Sequence, residues 1–125
     1  MGGLEASVKI EREAGIAVIS LSGWLVAGRE TDEFTIAANE LLESGNRCLV
    51  VDLSDVDFLT SLWLGALIGL FVSYKNRGGC LKFCSLRPTI RRMFELLRVT
   101  PWVFPIYPDR AAAIASFAPG QCPEW

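Results

Sequence analysis

Apolar and polar positions change their spacing several times along the chain, and each change marks an element. Ser7-Val8-Lys9-Ile10-Glu11 alternates, the pattern of a strand with one wet face. Glu13-Ala14-Gly15 reads as a turn, and Ile16 to Ser22 as a second strand. So short a link predicts a hairpin, which Gly23-Trp24-Leu25 closes. Gly28 to Glu33 has the chemistry of a helix entrance, with Thr31 as the cap and acids in the first turn. Phe34, Ala37, Ala38, Leu41 and Leu42 then follow the spacing of an amphipathic helix, which Gly45 ends.

The stretch from Leu49 to Gly79 organises the rest. Leu49-Val50-Val51-Asp52-Leu53 is nearly continuous in apolar residues, as for a strand buried on both faces. Ser54 to Asp57 reads as a loop, and Phe58-Leu59 returns the chain to the core. Thr60 and Ser61 carry hydroxyls suited to the orphan amides that open a helix. From Leu62 to Ser73 the pattern is helical and very apolar, and Lys75, Asn76, Arg77 and Gly78-Gly79 suit its end. Leu64, Leu67, Ile68 and Phe71 form one apolar stripe, and Trp63, Ala66 and Leu70 a second. Between them run Ser61, Gly65, Gly69 and Ser73. That line of small residues implies close approach of another backbone, belonging either to the protein's own sheet and helices or to a partner.

Cys80 to Ser85 reads as a further strand, and Arg87-Pro88 as the start of a helix whose core face is Ile90, Met93, Phe94 and Leu97. Arg87, Arg91, Arg92 and Arg98 fall mostly outside that face, as a solvated surface or a site for an acidic partner. Val103 to Tyr107 is a short strand that Pro105 places at a sheet edge, and Pro108-Asp109 opens a last helix through Ile114 and Phe117. Helices and strands alternate after the hairpin. This predicts an α/β fold: a mixed sheet opening with a β-hairpin, later strands parallel, flanked by about four helices. Residues 1–125 form one domain, with an ordered core from about residue 7 to 118.

Composition narrows the function. Half the residues are apolar, and a net charge of −2 gives no general attraction to nucleic acid or an anionic membrane. The apolar run from Phe58 to Val72 is interrupted by Thr60 and Ser61 and falls short of the ~20 residues a spanning helix needs. With no secretory signal at the start, a cytoplasmic location is expected. The chain has no histidine, so no Ser-His-Asp or Cys-His arrangement can be assembled from it. No G-x-x-x-x-G-K-[ST] or G-x-G-x-x-G motif is present, and no cofactor is expected. Asp52, Asp55 and Asp57 cluster beyond a strand's carboxyl end, where turn chemistry and a magnesium site are the two readings. The four cysteines fit no zinc spacing. Cys80 and Cys84 would lie roughly 13 Å apart along one strand, too far for a disulfide, so buried free thiols are expected.

Val50 to Leu59 followed by Thr60-Ser61-Leu62-Trp63-Leu64-Gly65-Ala66-Leu67 resembles the STAS domain, the family of bacterial anti-sigma-factor antagonists. Arg77 to Lys82, Pro88 to Leu96 and Val103 to Asp109 resemble it too, so the likeness runs from about Ser7 to Ala118. At the start of its central helix the family has Asp-Ser-Ser-Gly-Leu. Here Thr60 stands for the aspartate, Ser61 keeps the first serine, and Leu62 and Trp63 replace the second serine and the glycine. The resemblance implies a regulatory protein-binding module rather than an enzyme, switched by phosphorylation of Ser61 by an anti-sigma-factor serine kinase. Thr60, Leu62, Trp63, Ala66 and Asp57 are the expected partner-binding residues, with Trp63 in the first exposed turn touching the partner. The alternative is a non-phosphorylated STAS scaffold, self-associating as a homodimer or joining other STAS-domain proteins in a stressosome-like assembly. The bland reading of Ser61 is a helix cap and nothing more.

Overall fold

The computed structural model describes residues 6–26, 28–96 and 106–117. Its centre is a five-stranded mixed sheet in the order β1-β2-β3-β4-β5. The strands are β1 (Ser7–Glu13), β2 (Ile16–Leu25), β3 (Cys48–Leu59), β4 (Cys80–Cys84) and β5 (Ile106–Tyr107). The helices are α1 (Arg29–Glu43), α2 (Ser61–Asn76), α3 (Pro88–Leu96) and α4 (Arg110–Ala115). β1 and β2 are antiparallel, and every later pairing is parallel. The hairpin turns on Ala14 and Gly15, both at positive φ (54° and 80°), the geometry that matches the twist of the flanking strands.

Period-two alternation sends successive side chains to opposite sides of the sheet. Ala17, Ile19 and Leu21 of β2 and Leu49, Val51 and Leu53 of β3 join Phe34, Leu42, Trp63, Leu67, Ile90 and Phe94 in the main core. So α1, α2 and α3 cover one face. Ile16, Val18, Cys48, Val50 and Cys84 form a smaller core with Ala113 of α4 on the other. β3 is buried on both faces, which explains its unbroken apolar run.

Several expectations change. β3 does not end at Leu53: Asp55, Val56, Phe58 and Leu59 stay paired with Ser22, Gly23, Trp24 and Leu25 across two register shifts. A segment with loop chemistry is thus held as strand by its neighbour. Phe58 is exposed rather than returned to the core. α1 begins at Arg29 with Gly28 as a cap that offers no side chain, so Thr31 is a helical residue and not the cap. Among the described residues nothing packs onto Gly65 or Gly69, since a Cβ at either would meet no atom within 4 Å. Gly79 does meet one: its Cβ would lie 2.5 Å from the Arg47 carbonyl oxygen. Cys80 and Cys84 are free thiols, and burial pushes the Cys84 thiol up to about 12. Cys48, by contrast, is in a disulfide. The expected contributions of Leu97, Arg98, Val103, Pro105 and Cys122 lie outside the described residues.

Candidate functional site

The amino end of α2 lies beside the carboxyl ends of β2 and β3, and three contacts fix it there. The Thr60 amide donates to the Leu25 carbonyl at 3.0 Å. The Thr60 hydroxyl accepts from the Trp63 amide at 3.3 Å, so Thr60 is the helix cap. The Trp63 indole N–H donates to the Val26 carbonyl at 2.9 Å. Ser61 is the first residue of α2 and is exposed. Capping therefore falls to the neighbouring hydroxyl, and Ser61 stands at the positive end of a sixteen-residue helix dipole facing solvent.

Trp63 corrects the expectation most sharply. Its side chain is wholly buried, with its ring centroid 5.4 Å from that of Phe34. It cannot touch a partner; it joins α1, the end of β2 and the first turn of α2. The exposed apolar residues here are others: Trp24, Val26, Phe58 and Leu62, each 41–55 % exposed. Trp24 and Phe58 are opposite one another in the ladder, with ring centroids 5.4 Å apart. Sequence reading missed Trp24, Val26 and Phe58. The signal available was the alternation itself, because Leu25 and Leu59 are the buried members of each pair and their large neighbours must face out.

Of the remaining expected residues, Leu62 is exposed, Thr60 is half-buried, and Ala66 lines a shallow groove with Thr35, Asn39 and Leu70. Asp57 forms an ion pair with Arg87, whose Nε also donates to the Ser54 carbonyl at 3.0 Å. The aspartates of this region do not converge. Asp52 is buried on the α4 face, where Arg110 donates to its Oδ2 from Nε at 3.0 Å and forms an ion pair with it through Nη2 at 2.9 Å. Burial disfavours the Asp52 carboxylate, but the Ser54 amide and Arg110 outweigh it and hold its pKa below the ordinary value. Among the described residues no group of three or more acids and cysteines could hold a metal ion. No helix among them is long and apolar enough to cross a membrane.

A mixed sheet of this topology, with a capped apolar helix presenting a serine beside an exposed leucine, defines a class of small α/β proteins. The STAS domain model matches residues 7–113. A protein of Bordetella bronchiseptica named among the anti-sigma factor antagonists, BtrV, is 30% identical over 104 residues, covering 82% of this chain and 87% of that one. The anti-sigma F factor antagonist of Paenibacillus polymyxa is 22% identical over 113 residues, 89% of this chain and 94% of that one. An anti-sigma factor antagonist of Mycobacterium paratuberculosis superimposes with a TM-score of 0.74 at 25% identity, over 90% of this chain and 93% of its own. The chain belongs to the STAS domain family.

Proposed function

We propose that the protein is an anti-sigma-factor antagonist of the partner-switching kind, acting in the cytoplasm and not as an enzyme. In this reading the unmodified face around Ser61 binds an anti-sigma-factor serine kinase, which transfers the terminal phosphoryl group of its own nucleoside triphosphate to the Ser61 oxygen, leaving the nucleoside diphosphate and the hydroxyl proton, and is thereby released. The observation that carries the reading is the exposed Ser61 beside the exposed Leu62, its hydroxyl spared from capping by Thr60. Trp24, Val26 and Phe58 are further exposed apolar side chains at the ends of β2 and β3, the end of the sheet from which α2 starts. Phosphoserine adds about −1.5 to −2 charge. The helix dipole tolerates that charge, and Arg87 already balances Asp57, so the free protein keeps its fold. An apolar partner surface must desolvate the phosphate instead, and the complex is lost.

The test is binding of the host's anti-sigma-factor kinase to wild type, Ser61→Ala and Ser61→Asp, measured by calorimetry. Ser61→Ala should bind as the unmodified protein does and Ser61→Asp at least about tenfold more weakly, one unit of charge standing for the larger charge of phosphate. Equal affinity of the two variants would overturn the proposal.

A further inference from the structure

We propose that the free edge of β1 is a self-association surface, and that its occupant is a second copy of this chain paired antiparallel about a two-fold axis at Ile10. β1 ends the sheet, so its outer backbone groups have no strand beside them among the described residues. A seven-residue edge of this kind is a template for a further strand unless it is blunted. It has no proline, and its charges are arranged in a way that selects one pairing.

An axis perpendicular to the sheet keeps both helix layers on one side, and the pleat then requires that it pass through a residue. Centred on Lys9 or on Glu11, it sets that residue against its own copy, like charge against like. Centred on Ile10, it pairs all seven residues and sets Lys9 opposite the second copy's Glu11, twice over. Ser7 then faces the second copy's Glu13, and Ile10 faces itself.

The helix side of the same edge is also self-complementary. Ile10 is 50% exposed and Ile36 of α1 is 57% exposed, and both line an open groove with Ala37 and Leu41. Glu33 and Glu40 also line this groove. The pairing at Ile10 brings a second isoleucine to the groove, and with it the second copy's Arg12, which shares the Ile10 face and complements the acids. Ile10 lies opposite Ile19, mid-strand in β2. The surface is therefore separate from the strand ends that carry Ser61, and a dimer leaves that serine open.

Sedimentation velocity on the full chain tests the proposal, with charge exchange as the discriminating step. Wild type should form a dimer of twice 13.8 kDa. Lys9→Glu and Glu11→Lys should each weaken it by roughly 10- to 30-fold, since each turns two attractive cross-strand pairs into repulsive ones. Mixed in equal amounts they should form a heterodimer, because each lysine then faces a glutamate. Glu11 also touches Arg110 at 3.3 Å, so both variants are checked by circular dichroism. Ile10→Asp, which leaves Arg110 untouched, should abolish the dimer on its own. A wild type that stays monomeric up to about 100 μM, an Ile10→Asp variant that still dimerises, or folded charge variants that fail to rescue one another would each overturn it.

Discussion

Replacing Trp63 tests the geometry of the site more severely than replacing any residue on its surface. Full burial of an indole removes about 150–250 Å² from water, which at about 25 cal/mol per Å² amounts to roughly 4–6 kcal/mol. Alanine retains a small part of that, so Trp63→Ala should cost about 3–5 kcal/mol. Trp63→Phe keeps the packing against Phe34 but loses the bond to the Val26 carbonyl. Val26 is exposed, so water can take over that carbonyl. The phenylalanine variant should therefore lose only about 1–2 kcal/mol. Urea unfolding followed by far-UV circular dichroism reads both values, and for a chain of this length each kcal/mol lowers Tm by about 3–5 °C. The slope m should stay that of wild type. A Trp63→Ala variant within about 0.5 kcal/mol of wild type, the range of surface substitutions, would refute the buried placement and return Trp63 to the docking surface. The same variant should weaken partner binding more than its distance from the surface suggests, since its indole N–H holds the strand end that carries Trp24 and Val26.

Other outcomes follow from the same contacts. Gly65→Ala and Gly69→Ala should each stabilise the protein by about 1 kcal/mol, the helix-propensity difference alone, because an added methyl meets nothing within 4 Å; Gly79→Ala should destabilise it, since the methyl would lie 2.5 Å from the Arg47 carbonyl oxygen. Thermal melts of the three variants check both signs. The Asp52 pKa is lowered in the fold, so the unfolded chain binds the proton first and the pair's contribution is present above the unfolded value near 4. It is lost as pH falls through the folded value. The stability gap between wild type and Asp52→Asn should therefore shrink as pH drops from 6 towards 3, about the span over which a carboxylate titrates; a gap that stays constant would refute the role given to Arg110.

The order of elements was legible because it rests on local chemistry. Alternation in Ser7 to Glu11, the unbroken run at Leu49 to Leu53 and the helical spacing from Phe34 onward each have one structural solution. Boundaries were less legible where a neighbour decided them. Ser54 to Asp57 carries turn residues, yet β2 holds it in the sheet. The position of Ser61 at the start of the central helix was legible too, since glycines and a hydroxyl pair bracket that helix.

What the order of residues could not determine is which side of α2 faces outward. An apolar stripe containing Trp63 looks the same whether it meets a partner or its own α1, because helical periodicity fixes the angle between stripes and not their direction. Packing settled it: Phe34 and the Val26 carbonyl claim the indole, the line of glycines is left to solvent, and Trp24 and Phe58 become the exposed aromatics. The fold class was written in local periodicity, and the composition of the candidate surface was decided by contacts between residues far apart in the chain.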